Sequence, residues 1–472
     1  MTGIKKVLLN STYLISFRML SRLLSTVFML YAARKLSPDI FGVLSLTLVT
    51  VELLSALGDL GITKYGAREL VRFWGERPSL TGQILSLQVI TQAILTTAGF
   101  VTVIAFIPSS LKLQLLLLAL ACFFFYSLIN TSESVFIASQ KFFFSALLSF
   151  IGRLIYLVIG FAVLADRGSV VLVMWGFLAS VIVETALRMA IAIRITGISF
   201  RFSLKRLMVM MRVCIPFAVA GIASIISIRS CVFILEFLKG DASVGVFNAA
   251  YTLFTPFVWV PLILTSVTFP GLTATYNNDP DAARRSGWQW YRLMAIVGIP
   301  AAVAVSLLAG AVTNFFPSKY EEIKPIIIIL MWSMPPALIT AIDINILQVI
   351  DRQAAAARGL VLSAVGSILF SLALIPFLGG AGAAVAYLFM TVMRTAYIHY
   401  QVRLNFFDKT ALILFARPLI AGAAMAVPGL ILLIINSWLA MGLSLIVYTL
   451  FMIAMGVLKP DERSRLAHEA HS

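Results

Sequence analysis

An all-α protein threaded through a membrane about fourteen times is the fold class the sequence predicts, and three observations predict it. The chain of 472 residues is 61% hydrophobic and only 12% charged, too apolar to cover itself with polar surface in water. Apolar stretches of about 20 residues, the length that crosses a hydrocarbon core as a helix, follow one another along the whole chain. Most of the 36 Lys and Arg residues fall in alternate connections between those stretches, the bias that marks cytoplasmic loops. The formal net charge of +16 is therefore read as topology before it is read as a nucleic-acid footprint.

Apolar segmentation places spans near 8–33, 41–63, 82–107, 113–138, 142–165 and 170–194. It continues with 210–236, 246–270, 288–315, 325–348, 357–378, 382–402, 413–435 and 437–457. Single polar turns separate the fourth span from the fifth, at Ser139-Gln140-Lys141, and the thirteenth from the fourteenth, at Asn436-Ser437. An even number of spans with the basic connections on one side puts both termini in the cytoplasm. Lys5 and Lys6 precede the first apolar run, which has no small-residue cleavage site after it and is read as a retained span.

The first twelve spans echo one another in two sets of six. Lys5-Lys6 ahead of the first span corresponds to Lys205-Arg206 ahead of the seventh, and Phe41-Gly42-Val43-Leu44 to Val244-Gly245-Val246-Phe247. Further along, Gln140-Lys141 corresponds to Asp351-Arg352, and Arg194 to Arg403. An offset of about 200 residues persists throughout, as in transporters built from internal repeats. Six is even, so the halves share one orientation and are related by an axis along the membrane normal. The expected organisation is an N-terminal lobe over 1–200, a C-terminal lobe over 201–405, two appended spans over 406–458 and a cytoplasmic tail over 459–472.

Charges inside spans are where function is expected, because each costs roughly 2.5–3.5 kcal/mol at the bilayer centre. Arg18 and Arg22 are four residues apart on one face of the first helix, roughly 15–21 Å from its inner end. Ser45, Glu52 and Asp59 repeat every seven residues along the second, a polar seam facing the protein. Arg153 and Glu184 fall in the middle of the fifth and sixth spans, and Arg229 shares a face with Glu236 near the outer end of the seventh.

One reading lets Arg18, Arg22, Arg229 and Arg153 line a cationic cavity for an oxyanion, which guanidinium grips bidentately. The other pairs Arg18 or Arg22 with Glu52, and Arg153 with Glu184, as structural ion pairs. Glu52, Asp59, Glu184 and Asp343 are candidates to carry a coupling proton or cation, or to serve as those ion-pair partners. Asp59 and Asp343 lie towards the cytoplasmic ends of their spans, where solvation at the interface accounts for them, and His399, His468 and His471 are read the same way. Pro216, Pro256, Pro261, Pro270, Pro300, Pro335 and Pro336 interrupt spans seven to ten and are candidate hinges.

Soluble-enzyme chemistry is not encoded: there is no phosphate-binding loop, dinucleotide fingerprint or Cys/His cluster. Cys122, Cys214 and Cys231 all lie in apolar stretches, with no metal-ligand spacing. No catalytic residue, metal or cofactor is expected.

The stretch Ala33-Arg34-Lys35-Leu36-Ser37-Pro38-Asp39-Ile40-Phe41-Gly42, followed by Asp59-Leu60-Gly61-Ile62 and a basic loop with Lys64 and Arg68, resembles lipid-linked oligosaccharide flippases. These form the polysaccharide transporter branch of the multidrug/oligosaccharidyl-lipid/polysaccharide exporter superfamily. The segment Gly240-Asp241-Ala242-Ser243-Val244-Gly245-Val246-Phe247-Asn248-Ala249-Ala250-Tyr251 resembles the family's second-half signature.

The resemblance implies two six-helix lobes around a cationic cavity in the cytoplasmic membrane, alternating access, and a polyprenyl-diphosphate oligosaccharide as substrate. It further implies glycosyltransferases or a glycan polymerase of the same pathway as partners, and no nucleic acid. Arg18, Arg22 and Arg229 match its habit of basic residues on lobe-facing helices. Ile228-Arg229-Ser230 departs from the acidic residue many members carry there. A drug or organic-cation antiporter of the same superfamily would favour carboxylates and aromatics in the cavity. An integral-membrane glycosyltransferase or polymerase would need larger outer loops.

Overall fold

The computed structural model describes residues 2–107, 110–166, 168–199, 204–406, 413–432 and 437–454. Its described residues are helical, in order α1 (Thr2–Lys35), α2 (Pro38–Asp59), α3 (Ile62–Arg72), α4 (Arg77–Phe106), α5 (Ser110–Ala138), α6 (Phe142–Asp166) and α7 (Val170–Thr196). There follow α8 (Leu204–Lys239), α9 (Asp241–Asn278), α10 (Pro280–Thr313), α11 (Ile323–Trp332), α12 (Met334–Val349), α13 (Gln353–Asn405), α14 (Ile413–Leu432) and α15 (Ser437–Ala454). Among them ten helical stretches are long and apolar enough to cross a membrane, so the chain is a multi-pass membrane protein. Helices are the expected answer in lipid, since they satisfy every backbone N–H and C=O within one segment.

Local chemistry sets the helix ends. Pro38 enters α2 in its first turn, where a missing N–H costs nothing. Leu60 and Gly61 both take positive φ after α2, reversing the chain into α3. The basic loop expected there is instead helical: α3 buries Ile62, Ala67 and Leu70 and leaves Lys64, Arg68 and Arg72 exposed, the pattern of a helix lying at a membrane surface. The Ser139-Gln140-Lys141 turn does separate α5 from α6, with Gln140 at φ 55°.

The expected span over 325–348 breaks at Ser333 into α11 and α12, because Pro335 and Pro336 lack the N–H groups that would continue the ladder. The two spans expected over 357–378 and 382–402 run together as α13, bent at Gly379 with φ 54° and ψ −130°. Pro216 and Pro300 sit inside helices α8 and α10.

The chain packs as two compact units: Met1–Pro256 with Leu360–Ala383, and Phe257–Gly359 with Ala384–Ser472. In the first, α5 packs against α2, α3, α4 and α7, while α1 lies on α6 and α6 on α7. An aromatic cluster joins them: the Phe28 ring is 5.0 Å from Tyr156 and 5.3 Å from Phe161, and Tyr156 is 5.1 Å from Phe177. In the second, α10 packs against α11, α12, α14 and α15 around Val303, Leu307, Met425 and Tyr448.

Two glycines mark a close helix approach in the first unit. A Cβ on Gly42 of α2 would collide with the carbonyl of Asp241, and a Cβ on Gly245 of α9 would collide with the carbonyl of Pro38. These are the echoed sequence positions, about 200 residues apart, and each meets the equivalent of what the other meets, as self-complementary contacts about a two-fold axis do. Only small residues let backbones come so near.

Candidate functional site

Within the first unit, one arginine organises the buried charge. Arg188 of α7 has a side chain only 3% exposed. Its Nε donates to Glu184 Oε1 at 2.8 Å, its Nη1 to Glu133 Oε2 at 3.0 Å and its Nη2 to the Ser145 carbonyl at 2.9 Å. Nη2 also donates to Ser149 Oγ, whose hydroxyl donates to Glu184 Oε1 at 3.1 Å. Ser145 Oγ donates to Glu133 Oε2 at 2.6 Å. Three helices, α5, α6 and α7, are thereby tied by a guanidinium whose donors are almost all used, the condition for carrying charge in a dry interior.

The Glu184 carboxylate that might have neutralised Arg153 is held by Arg188. Arg153 makes no ion pair among the described residues, and its guanidinium lies 6.0 Å from the Tyr156 ring centre. Arg22, Tyr126, Arg153, Tyr156, Ser180 and Glu184 line one cavity of about 290 Å³ between α1, α5, α6 and α7. Gly152 makes this possible, since a Cβ there would stand 2.6 Å from Glu184 Oε2. The Tyr156 hydroxyl is buried without a protein partner. Among the described residues this cluster brings together three arginines, Arg22, Arg153 and Arg188, and two glutamates, Glu133 and Glu184, beside a cavity that also presents phenols and hydroxyls.

A second charged group bridges α2 and α8. Arg229 Nε donates to Glu52 Oε2 at 2.9 Å and its Nη2 lies 2.7 Å from the same oxygen as an ion pair, and the guanidinium stacks 4.9 Å from the Tyr251 ring centre. The Arg229 side chain is 16% exposed and that of Glu52 is 49%. Glu236, expected beside Arg229, is engaged by Lys112, whose Nζ also reaches Asp241 Oδ1 at 2.9 Å. Asp59 is a joint: its Oδ1 accepts from the Thr63 backbone N–H at 3.1 Å and from Gln88 Nε2 at 3.0 Å.

Asp343 stands in the second unit and is fully buried, not solvated at an interface; Tyr291 and His399 both contact it. The side chain of Arg18, and residues His468 and His471, lie outside the described residues. The candidate residues thus separate into an Arg22/Arg153/Glu184 cavity, a Glu52–Arg229 pair, the Asp59 joint and the Asp343 cluster.

Arg188 and Glu133 are intramembrane charges that apolar segmentation does not single out, because Arg188 merges with the basic flank at the end of its helix. The Glu184/Arg188 spacing of four residues is the signal in the sequence that could have found the first of them. A larger cavity of about 820 Å³ is lined by Trp74, Gln140, Lys141 and Arg194. Its two cations stand by the C-terminal ends of α5 and α7, where they complement helix dipoles, and it holds none of the intramembrane charges. Among the described residues no group of three or more His, Cys, Asp or Glu side chains is placed to hold a metal, and Cys122, Cys214 and Cys231 are free and buried.

A family model described as polysaccharide biosynthesis protein matches residues 7–276. Among solved structures, the lipid II flippase MurJ in an inward closed conformation is similar with a TM-score of 0.74 at 15% identity, over 94% of this chain and 98% of that one. An inward-facing multidrug resistance MATE family transporter of the MOP superfamily follows at 0.66 and 15%, over 88% and 98%. A MOP superfamily transporter from Pyrococcus furiosus, described by the reverse polarity of its binding pocket, is similar at 0.55 and 14%, over 88% and 94%. No curated protein shows significant sequence similarity. At these identities the likeness is one of fold, and function has to come from the site.

Proposed function

Because the chain belongs to the polysaccharide biosynthesis family of membrane proteins, we propose that it is an alternating-access flippase for a polyprenyl-diphosphate-linked oligosaccharide. It moves this substrate across the cytoplasmic membrane for assembly of a cell-surface polysaccharide. The observation that carries this reading is the cavity in which Arg153 has no ion-pair partner among the described residues and Glu184 is engaged by Arg188. An organic-cation exporter needs the opposite: an available carboxylate.

Size narrows the role of the cavity. About 290 Å³ accommodates a phosphate or diphosphate but not an oligosaccharide, since ordinary ligand pockets start near that volume. Arg22 and Arg153 hold the anionic portion of the head while the glycan extends beyond the mouth and the lipid tail stays in the bilayer. Guanidinium suits this task because it stays charged and presents a fork of donors to phosphate oxygens. Each charge moved across the membrane is worth about 2.3 kcal/mol per 100 mV, so the potential contributes to the drive.

The halves over 1–200 and 201–405 act as the two lobes, a reading supported by the reciprocal Gly42 and Gly245 contact. Both termini are cytoplasmic, in keeping with the exposed Lys64, Arg68 and Arg72 of α3 and the excess of positive charge expected on that side. Glycosyltransferases supply the substrate and a glycan polymerase consumes it.

The test is translocation of a short fluorescent polyprenyl-diphosphate oligosaccharide in proteoliposomes, comparing wild type with the Arg22→Ala/Arg153→Ala double variant. Flipping by the wild type that the double variant loses, at equal insertion, is the expected result. Undiminished flipping by the variant refutes the role of the cavity. Failure of the wild type to flip, with transport of an organic cation, refutes the substrate class.

A further inference from the structure

Asp343 of α12 is 0% exposed and lies between two other helices of the second unit. The hydroxyl of Tyr291, itself 0% exposed and on α10, donates to Asp343 Oδ1. His399 of α13 places its Nδ1 3.3 Å from the same oxygen. Asp343 Oδ2 is buried and has no hydrogen-bond partner. The neighbouring contacts are neutral: Thr340 and Thr395 share a hydrogen bond of 2.7 Å, and Asn345 reaches Thr268 at 3.4 Å. Arg403, one turn beyond His399 on α13, is the fixed charge facing the imidazole. Among the described residues the ionisable groups around Asp343 are Tyr291 from α10 and His399 and Arg403 from α13.

From this arrangement we propose that Asp343 and His399 form a proton-binding site that loads and unloads one proton during the transport cycle. A buried carboxylate with one oxygen unpartnered is costly while charged and cheap once the pair is neutral. Binding takes one proton from water and changes the pair from a carboxylate beside a neutral imidazole, net −1, to a neutral pair. The bound proton is shared between carboxylate and imidazole and belongs to both. His399 is the entry point, because its side chain is 23% exposed while that of Asp343 is fully covered.

The chemistry selects a proton over a metal cation. Hard cations need a cage of several oxygens, whereas Tyr291 offers one phenol and His399 a ring nitrogen. Imidazole is the side chain whose ordinary titration range lies nearest neutrality, which suits a group that must both take and release a proton. Its coupling to transport rests on the flippase reading, while its protonation does not.

Two measurements on the full-length protein test this. Infrared difference spectra between high and low pH should contain a carboxylic-acid or imidazolium feature that vanishes in both Asp343→Asn and His399→Gln. A feature lost in His399→Gln alone would make His399 an independent histidine and overturn the paired site, as would no loss in either variant. In proteoliposomes, a pH gradient should stimulate wild-type flipping, and both variants should lose that stimulation while keeping exchange without a gradient. Retained stimulation overturns the coupling role. If the wild type flips nothing, the flippase reading falls and the spectra alone decide the site. If Asp343→Asn does not insert, the carboxylic-acid band decides the site: its loss in His399→Gln ties the carboxyl to the imidazole, and its persistence there overturns the pair.

Discussion

Two buried-charge centres, Arg188 in the first unit and Asp343 in the second, handle the same cost in opposite ways. Around Arg188 the cation is permanent, and two carboxylates and two serines use nearly all its donors. Around Asp343 the charge is conditional: one oxygen has two partners, both neutral in at least one state, and the other has none. A guanidinium that cannot deprotonate must be paired wherever it is buried. A carboxylate beside an imidazole can instead discharge. The first arrangement serves as a strut and leaves Arg153 available next to it; the second is suited to switching.

The largest effect should follow from breaking the strut. Arg188→Met takes the guanidinium from Glu133 and Glu184, whose side chains are 20% and 16% exposed, and should cost an amount at the lower end of about 3–5 kcal/mol, read as loss of thermal stability in detergent. Asp343→Leu should cost less, about 1–3 kcal/mol, because it takes one hydrogen-bond partner from the Tyr291 hydroxyl and from the His399 imidazole and strands no permanent charge. A larger loss for Asp343→Leu than for Arg188→Met would invert the comparison.

Arg153→Ala should change stability by no more than about 0.5 kcal/mol, since Arg153 makes no ion pair among the described residues, yet abolish flipping. Comparable losses of stability for Arg153→Ala and Arg188→Met would show that the two arginines share one structural role.

The smallest effect lies outside the spans. Asp279 caps α10, accepting from the backbone N–H of Asp281 at 2.9 Å and of Ala282 at 3.0 Å. The Ala282 hydrogen bond is the main cause holding its carboxyl below the ordinary value of 3.8. A depressed folded value means that the charged cap stabilises above the unfolded value and that this contribution fades as pH falls through the folded one. Asp279→Asn should therefore match wild type in stability in strong acid and fall slightly behind it from about pH 5 upward. A difference that persists unchanged into strong acid would assign the effect to packing.

Much of the site is legible one residue at a time. Glu52 and Arg229 are recognisable as intramembrane charges because each interrupts a long apolar run, and they do meet. Partner choice is not legible: the sequence offers Arg18 or Arg22 as partners for Glu52, and Arg153 for Glu184. The observed partners, Arg229 and Arg188, come from a helix 177 residues away in the chain and from the next turn of the same helix. Arg188 is hidden because apolar segmentation locates helix ends only coarsely. Asp343 and His399 both read as solvated in the sequence, since neither periodicity nor position in a span reports which side of a helix is covered by another.

By itself the sequence determined that this is a helical membrane protein with basic connections and an internal echo. Lipid leaves a chain of such apolar length no other way to satisfy its backbone, and charge bias is written directly into loop composition. Only the tertiary structure decided which charges are neutralised and which are left to act. That outcome depends on distances of a few ångströms between helices remote in sequence, set by features such as Gly42 against Gly245 and Gly152 against Glu184. Close packing settles such approaches collectively, so no single segment of the sequence carries them.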